Sequence, residues 1–244
     1  MNILTENYKL FNGDYLEVIK NIPDKSIDLL LTDPPYLHVK GGSKCKRFNK
    51  GCGMYSEKSE VTTKLSDFGE MEIENFLNAV KSKMKKMNCY IFCSKLQIAY
   101  YLKWVINNKK YNYDVLIWDK CRSGLIGHKS FATNIEYIIR IYENGCGLNE
   151  VKQNGKLISE YYQKIHSIKN ENKKKHPAQK PEILLKRFIE LSSKENDVIL
   201  DCFMGSGSIG VTCMNTNRKF IGIELDENYF NIAIDRIFEN YKED

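Results

Sequence analysis

The sequence predicts an α/β fold in which a mostly parallel, seven-stranded sheet carries helices on both faces. Short apolar runs alternate along the chain with longer helical patterns, an arrangement typical of a doubly wound parallel sheet. A glycine-rich turn also follows one apolar run in the last quarter of the chain and opens a helix, as in nucleotide-binding folds of this class. A length of 244 residues suits one large domain, so we expect residues 1–244 to form a single domain.

Seven strand-like runs and five helical patterns make up the predicted elements. The strands are predicted at YKLFN (8–12), IDLLLTD (27–33), NCYIFC (88–93), DVLIWDK (114–120), NIEYIIRIYE (134–143), DVILDCF (197–203) and KFIGIEL (219–225). The helices are predicted over about 70–86, 95–108, 178–194, 206–216 and 227–241. Two polar segments, 37–68 and 144–176, do not fit this alternation, and segments of that length in a compact domain are usually functional or disordered.

The composition limits the class of protein. Apolar residues make up 42% of the chain, enough for a substantial core, and no apolar run is long enough to span a bilayer. The first residues lack the hydrophobic stretch of a signal peptide, so we expect a cytoplasmic protein without a membrane partner. The net charge of +6 is concentrated in lysine-rich clusters at 40–50, 81–86 and 173–175. Such clusters indicate either a polyanionic partner or ordinary solvated lysines, and composition leaves both open.

Cysteine and histidine usage does not indicate a metal site. The eight cysteines, at positions 45, 52, 89, 93, 121, 146, 202 and 213, contain no C-x-x-C pair. The four histidines, at positions 38, 128, 166 and 176, are scattered and add no metal-ligand spacing. We therefore expect free thiols and no bound metal.

The stretch DVILDCFMGSGSIG (197–210) predicts a nucleotide-binding turn. Gly205, Gly207 and Gly210 stand at G-x-G-x-x-G spacing between an apolar strand and a helical pattern. Glycines at these positions let the backbone turn tightly and approach a nucleotide that faces the amino terminus of the helix. The next predicted strand ends near Glu224, where an acidic side chain would meet ribose hydroxyls. The pattern indicates an adenosine-type cofactor and by itself leaves NAD and S-adenosylmethionine both open.

The stretch LLTDPPY (30–36) favours methyl transfer to an amine. The exocyclic amine of a nucleobase is a poor nucleophile because its lone pair is delocalised into the ring, and acceptors on both N–H bonds would free that lone pair. Asp33 supplies one acceptor and the carbonyl of Pro34 the other, in a direction that Pro34 and Pro35 hold fixed. Tyr36 offers a flat face on which an extruded base can stack. A hydride-transfer enzyme has no evident use for this arrangement.

With these motifs, the sequence resembles amino-methylating DNA methyltransferases of the permuted, beta-ordered group, and adenine-N6 enzymes of bacteria and phages in particular. The resemblance covers the two ends of the chain well and the middle loosely. It rests on GDYLEV and SIDLLLTDPPY (13–36), HPAQKPEILLKRFI (176–189), ILDCFMGSGSIG and FIGIELDENYFNIAIDRI (220–237). The catalytic motif precedes the cofactor motif, whereas amino methyltransferases of proteins and ribosomal RNA usually show the reverse order. The resemblance therefore implies a DNA enzyme with a Rossmann-like, S-adenosylmethionine-dependent methyltransferase fold and a circularly permuted motif order.

The resemblance also implies roles for individual residues. The catalytic tetrapeptide would be Asp33, Pro34, Pro35 and Tyr36. The residues that would bind S-adenosylmethionine are Asp14, His176, Gln179, Lys180, Pro181, Asp201, Phe203, Gly205, Ser206, Gly207 and Glu224. For some of them a structural role stays open: Asp14 could cap the following helix, and Lys180 could be a surface lysine. Cys202 and Ser208 replace the proline and threonine usual in the family, which bears on cofactor affinity and not on the assignment.

The target base is predicted to be adenine, methylated at N6. Cytosine-N4 members of the group usually carry serine at the position of Asp33. Carbon-5 methylation needs a cysteine nucleophile, usually presented as Pro-Cys, and none of the five prolines precedes a cysteine. RNA-directed adenine enzymes usually have tryptophan in place of Tyr36. A cytosine-N4 enzyme and a non-catalytic DNA-binding partner subunit stay open as alternatives.

Two segments are predicted to face DNA. The first is a mobile loop over 37–66, which follows the tetrapeptide directly and whose cations would contact phosphates: Lys40, Lys44, Lys46, Arg47 and Lys50. The second is a target-recognition region over about 121–175, with side chains able to reach base edges: Arg122, His128, Lys129 and Asn134. The predicted partners are double-stranded DNA, a second copy of the chain and a cognate restriction endonuclease, the last two implied by the resemblance alone.

Overall fold

A nine-stranded sheet lies at the centre of the protein, whose structure is a computed structural model describing residues 2–36, 68–121, 134–169 and 180–239. The strands are β1 (Asn2–Leu4), β2 (Tyr8–Asn12), β3 (Leu29–Thr32), β4 (Asn88–Cys93), β5 (Tyr111–Asp119), β6 (Ile135–Glu143), β7 (Lys152–Gln153), β8 (Lys156–Leu157), β9 (Ile165–Ser167), β10 (Val198–Asp201) and β11 (Lys219–Glu224). The helices are α1 (Tyr15–Val18), α2 (Glu70–Lys83), α3 (Ile98–Asn107), α4 (Glu182–Ser192), α5 (Ser208–Met214) and α6 (Glu227–Glu239), with short 3₁₀ turns at Ile19–Asn21 and Ser159–Tyr162. Within these ranges, the helices are too short or too polar to cross a membrane.

The strand order is β1-β2-β11-β10-β3-β4-β6-β5-β9, while β7 and β8 pair only with each other. Neighbouring strands from β2 to β4 are all parallel, as predicted for a doubly wound sheet. Beyond them, β6 runs antiparallel to both of its neighbours, β4 and β5. The α/β class and the mostly parallel sheet agree with the sequence prediction.

The number of strands differs from the prediction of seven, which is wrong. Each predicted run contains a strand, and the two additional strands, β1 and β9, lie at the two edges of the sheet. β1 pairs antiparallel with β2, and β9 pairs parallel with β5. Each has three residues, too few to show the two-residue alternation that marks a strand in the sequence.

The core consists of two layers, one on each face of the sheet. Along β3, Leu30 packs with α2 and α3, whereas Leu29 and Leu31 pack with α4, α5 and α6. This alternation follows from the strand geometry, since successive side chains point to opposite faces. The cysteines of the described residues are free thiols, and the buried ones fill these layers as small apolar side chains do: Cys89, Cys93, Cys202 and Cys213.

The direction of the strands gathers many chain segments at one edge, which we call the carboxyl edge. The parallel strands β2, β11, β10, β3 and β4 all end there. Because β6 is antiparallel to β4, it begins at the same edge, and β5 ends there beside it. Open α/β sheets bind their ligands beyond this edge.

Candidate active site

The carboxyl edge brings together side chains that are distant in the sequence. Asp33 follows β3, Asp201 ends β10, Glu224 ends β11 and Asp14 follows β2. Lys180, just before α4, reaches the same place through its contact with Asp33. The predicted catalytic motif and the predicted cofactor turn therefore share one site.

Asp33 is paired through one carboxylate oxygen and unpaired at the other. Lys180 Nζ donates to Asp33 Oδ2 in an ion pair. Asp33 Oδ1 is buried, and no hydrogen-bond donor of the described ranges reaches it. Burial raises the pKa of the Asp33 carboxyl, and the charge of Glu136 adds to this shift, while the Lys180 ammonium and the nearby Tyr36 hydroxyl oppose it. Since a buried acceptor without a donor is costly, Oδ1 marks a position where a ligand N–H would fit.

Glu136 extends this pair into a line of alternating charges. Lys180 Nζ lies 3.4 Å from Glu136 Oε2, and Lys120 Nζ lies 2.5 Å from Glu136 Oε1. Burial alone would raise the pKa of Glu136, but the two lysines outweigh it and lower that pKa. Burial alone would lower the pKa of Lys180, but Asp33 and Glu136 outweigh it and raise that pKa. The line thus holds two carboxylates and two ammonium groups.

Tyr36 lies beside the same charges. Its hydroxyl donates to Glu136 Oε2 at 3.4 Å, and Lys180 Nζ lies 5.8 Å from the centre of its ring. Burial, reinforced by the charges of Asp33 and Glu136, raises the pKa of Tyr36 well above its usual value, so the phenol stays neutral. The ring is therefore near Asp33, and its stacking on a base remains a prediction.

Gln97, which belongs to no recognisable sequence motif, fixes the backbone of the tetrapeptide. Its side chain has no exposed surface, and its amide nitrogen donates to the carbonyls of Pro35 and Phe68, both at 2.9 Å. Its amide oxygen accepts from the backbone N–H and the hydroxyl of Ser94, both at 3.0 Å. One buried amide thus ties together the described residues on either side of 37–67.

Asp201 is a buried acid with two hydrogen bonds. Its Oδ1 accepts from the Thr32 hydroxyl at 2.6 Å and from the Phe203 N–H at 3.1 Å. Burial raises the pKa of Asp201 to about 7, against the opposing effect of these two donors. Thr32 directly precedes Asp33, so this bond connects the glycine turn to the strand that carries the tetrapeptide.

Glu224 organises the glycine turn. Its Oε2 accepts from the Gly205 N–H at 2.7 Å, and its Oε1 accepts from the Asp226 N–H at 2.9 Å. Gly205 adopts a positive φ of 53°, and among the described atoms a Cβ there would meet nothing nearer than 4.0 Å. The turn therefore leaves open space beside Gly205, where a ligand can approach the backbone.

Gly207 and Ser206 face the protein interior instead. A Cβ at Gly207 would lie 3.0 Å from the Cβ of Ala233 and 3.2 Å from Ile237 of α6. Arg236, also on α6, donates to the Ser206 hydroxyl at 2.8 Å and to the Ser206 carbonyl. These contacts anchor the turn on α6, and direct contact of either residue with a cofactor remains a prediction.

Asp14 and Phe203 flank the turn on the other side. Asp14 is the N-cap of α1, since its Oδ1 accepts from the Leu16 N–H at 2.8 Å. The alternative that Asp14 caps a helix is confirmed, while its contact with a cofactor adenine remains a prediction. The Phe203 ring packs against Tyr15 and Phe76, with centroid distances of 4.9 and 5.6 Å.

Several predicted residues lie outside the described part of the chain. They are His176 and Gln179 of the cofactor set, and Lys40, Lys44, Lys46, Arg47, Lys50, Arg122, His128 and Lys129 of the DNA-facing set. Pro181 is buried at the start of α4, next to Lys180. Lys180 contacts Asp33 and is largely buried, so the alternative of a surface lysine is wrong, and its contact with a cofactor remains a prediction.

The fold and site together define a Rossmann-like α/β protein with a nucleotide-type glycine turn beside a partly buried carboxylate–lysine pair. The crystal structure of the M1.HpyAVI–SAM complex matches it with a TM-score of 0.66 at 24% identity, over 94% of this chain and 99% of that one. PvuII DNA methyltransferase, which is cytosine-N4-specific, matches with a TM-score of 0.68 at 16% identity, over 98% of this chain and 89% of that one. At these identities the likeness establishes the fold.

The chain belongs to the N6_N4_Mtase family of DNA methylases, whose model matches residues 27–235. One relative is the type II methyltransferase M.HinfI of Haemophilus influenzae, 29% identical over 259 residues, which cover 94% of this chain and 68% of the relative. The predicted class of DNA methyltransferase is thereby confirmed. The family name includes both N6 and N4 methylation, so the target amine and the permuted subgroup remain predictions.

Proposed function

We propose that the chain transfers a methyl group from S-adenosylmethionine to the N6 amine of an adenine flipped out of duplex DNA. The observation that carries this proposal is Asp33 Oδ1, a buried acceptor that no described donor reaches, immediately before the Pro34 carbonyl and beside the glycine turn. An amine with two N–H bonds is the ligand that such a pair of acceptors suits. The motif order along the chain, catalytic before cofactor, favours the permuted group.

The residues present fit this cofactor. The open space beside Gly205 admits a ligand close to the backbone, and the Glu224 carboxylate stands at the end of the adjacent strand. S-Adenosylmethionine, when bound, supplies an electrophilic methyl group on a sulfonium sulfur. Asp33 Oδ1 would accept a hydrogen bond from one N–H of the amine, which frees the lone pair of the amine nitrogen to attack the methyl group. Asp33 would then take up the proton that the nitrogen loses after methylation.

Adenine is the target that Asp33 favours over cytosine. Family members that methylate cytosine N4 usually have serine at this position, whereas here a carboxylate stands against Lys180. The neighbour that is cytosine-N4-specific shares the fold, so cytosine N4 is the alternative. A non-catalytic partner subunit is less well supported, since it would have no use for a buried acceptor that lacks a donor.

The experiment is transfer of a labelled methyl group to unmethylated DNA, followed by digestion and identification of the nucleoside. We expect N6-methyladenine, and N4-methylcytosine would overturn the assignment of the base. Asp33→Ala should bind cofactor and DNA with affinities within a few-fold of wild type, yet lose nearly all turnover. If the variant kept more than roughly a tenth of wild-type turnover, the loss of transition-state stabilisation would be under about 1.4 kcal/mol, and Asp33 would have another role. Asp24→Ala, an exposed carboxylate paired with Lys83, is the matched control.

The cofactor assignment is tested by calorimetry. Glu224→Ala should weaken S-adenosylmethionine binding, because the carboxylate accepts from the Gly205 N–H and, in the proposed complex, would accept from the ribose hydroxyls. Unchanged affinity would remove Glu224 from the site, and binding of NAD in place of S-adenosylmethionine would overturn the reaction class. Light scattering at micromolar concentration tests the predicted homodimer.

The DNA is proposed to lie across the carboxyl edge. The chain leaves its described ranges at this edge after Tyr36, after Cys121 and after Lys169, and the first two points open the predicted DNA-facing segments. Neutralising Lys44, Lys46 and Arg47 together should weaken binding to any duplex and reduce its salt dependence with the preferred motif unchanged. Substituting Arg122 should relax or alter the motif. The control set lies at the opposite edge of the sheet: Lys81, Lys85 and Lys86.

A further inference from the structure

Glu136 is a partly buried carboxylate that the proposed reaction does not yet use. Its side chain is 18% exposed, and it contacts lysines on both sides: Lys120 through Oε1 and Lys180 through Oε2. Those two lysine side chains are themselves only 14% and 11% exposed. Carboxylates this well covered are rare in proteins unless they are paired, and Glu136 is paired twice.

The position of Glu136 is set by rigid parts of the fold. It lies on β6, in register with Trp118 of β5, and Lys120 follows the end of β5. Lys180 comes from the segment before α4, and Asp33 from the end of β3. Four separate segments thus converge on one line of charges, and a strand holds a side chain more firmly than a loop does.

The line of charges gives the two carboxylate oxygens of Asp33 different surroundings. Lys180 occupies Oδ2, and Oδ1 is left without a described donor. Because Lys180 also lies 3.4 Å from Glu136, its ammonium is shared between two carboxylates and does not belong to Asp33 alone. An ammonium that Asp33 held alone would neutralise the carboxylate more completely and weaken it as an acceptor for an amine.

We infer that Glu136 is a positioning residue for methyl transfer: it shares the Lys180 ammonium with Asp33, which fixes that ammonium on Oδ2 and keeps Oδ1 available and basic for the target amine. Lys120 balances the charge of Glu136 from the other side. The inference rests on the proposed function, since it assumes that Asp33 accepts the amine.

The charges around Asp33 give the sign of each perturbation. The groups that interact electrostatically with it are Lys180, Glu136, Tyr36, Cys93, Tyr101 and Asp201. Glu136 raises the pKa of Asp33, both as a like charge and by drawing on Lys180. Glu136→Gln should therefore lower that pKa, whereas Lys120→Gln should raise it, because Glu136 would then hold Lys180 more strongly.

The test is the pH dependence of single-turnover methyl transfer by wild type, Glu136→Gln and Lys120→Gln, with cofactor and DNA saturating. Transfer requires ionised Asp33, so the acidic limb of the profile should move to lower pH in Glu136→Gln and to higher pH in Lys120→Gln, each by on the order of one pH unit. The plateau rate of Glu136→Gln should also fall, and its affinity for S-adenosylmethionine should stay within about twofold of wild type. A merely structural role for Glu136 would not produce shifts of opposite sign.

Shifts in the same direction, or no shift in either variant, would overturn the inference. If thermal melting shows that Glu136→Gln is unfolded, Lys120→Gln decides alone: a shift to higher pH supports the inference and an unchanged limb refutes it. Wild-type protein is measured first. If the wild-type protein transfers no methyl group, the proposed function fails. If the wild-type protein is active and both variants keep its pH profile, the proposed function stands and the inference about Glu136 fails.

Discussion

Replacing Gly207 by alanine should destabilise the fold by more than the same replacement at Gly205. Both glycines have positive φ, 79° and 53°, a conformation that costs an alanine about 1–2 kcal/mol. They differ in what a Cβ would meet: at Gly207 it would press on Ala233 and Ile237 of α6, whereas at Gly205 it would face open space among the described residues. Gly205→Ala is therefore a matched control, because the conformational cost of placing an alanine at positive φ is nearly the same in both variants and cancels when they are compared.

The difference between the two variants isolates the packing term. Contacts of 3.0 and 3.1 Å with Ala233 are tighter than ordinary van der Waals contact, and part of that contact is backbone, which cannot move away as a flexible side chain can. Overpacking of this kind costs about 1–3 kcal/mol. The total for Gly207→Ala is then about 2–5 kcal/mol, against about 1–2 kcal/mol for Gly205→Ala.

Urea denaturation followed by circular dichroism measures both values. With a slope of about 2 kcal/mol per molar urea, the midpoint of Gly207→Ala should fall by about 1–2.5 M, and that of Gly205→Ala by about 0.5–1 M. Calorimetry on the folded variants should show the reverse order for S-adenosylmethionine, since a methyl group at Gly205 would enter the space where the cofactor is proposed to approach. Equal losses of stability, or a stable Gly207→Ala with weakened cofactor binding, would refute the packing argument.

Two further predictions concern buried polar groups. Folding raises the pKa of Asp201 from 3.8 to about 7, so the free energy of unfolding of the wild type should fall by about 4 kcal/mol as pH rises through that interval. Asp201→Asn lacks this titration and should therefore gain stability relative to wild type as pH rises from 4 to 8. Parallel pH profiles of the free energy of unfolding for the two proteins would contradict this. Gln97→Leu removes both donors to the carbonyls of Pro35 and Phe68, each of which costs about 1–3 kcal/mol when left buried and unpaired, so its melting temperature and turnover should both fall. The exposed Gln153→Leu is the control, and equal melting temperatures for the two leucine variants would show that the Gln97 amide does not hold the tetrapeptide.

Much of the fold and part of the site follow from local sequence signals. Runs such as NCYIFC are strands because their side chains are apolar on both faces, and the observed strand, Asn88–Cys93, has the predicted bounds. Because β3 ends at Thr32, Asp33 lies at the carboxyl edge of the sheet, and this placement does not depend on the neighbouring segments. These signals are readable because the residues that produce them are neighbours along the chain.

The tertiary structure alone decided which distant residues meet there. Glu136 is one of three charged residues in β6, and nothing in the sequence separates it from the others. Its contacts with Lys120 and Lys180 depend on the pairing of β5 with β6 and on the segment that leads into α4. Gln97 stands at the start of a helix and reaches Pro35 across 62 positions of sequence. Local periodicity specifies which face of an element is buried; it does not specify which other segment covers that face, because that depends on the packing of the whole sheet.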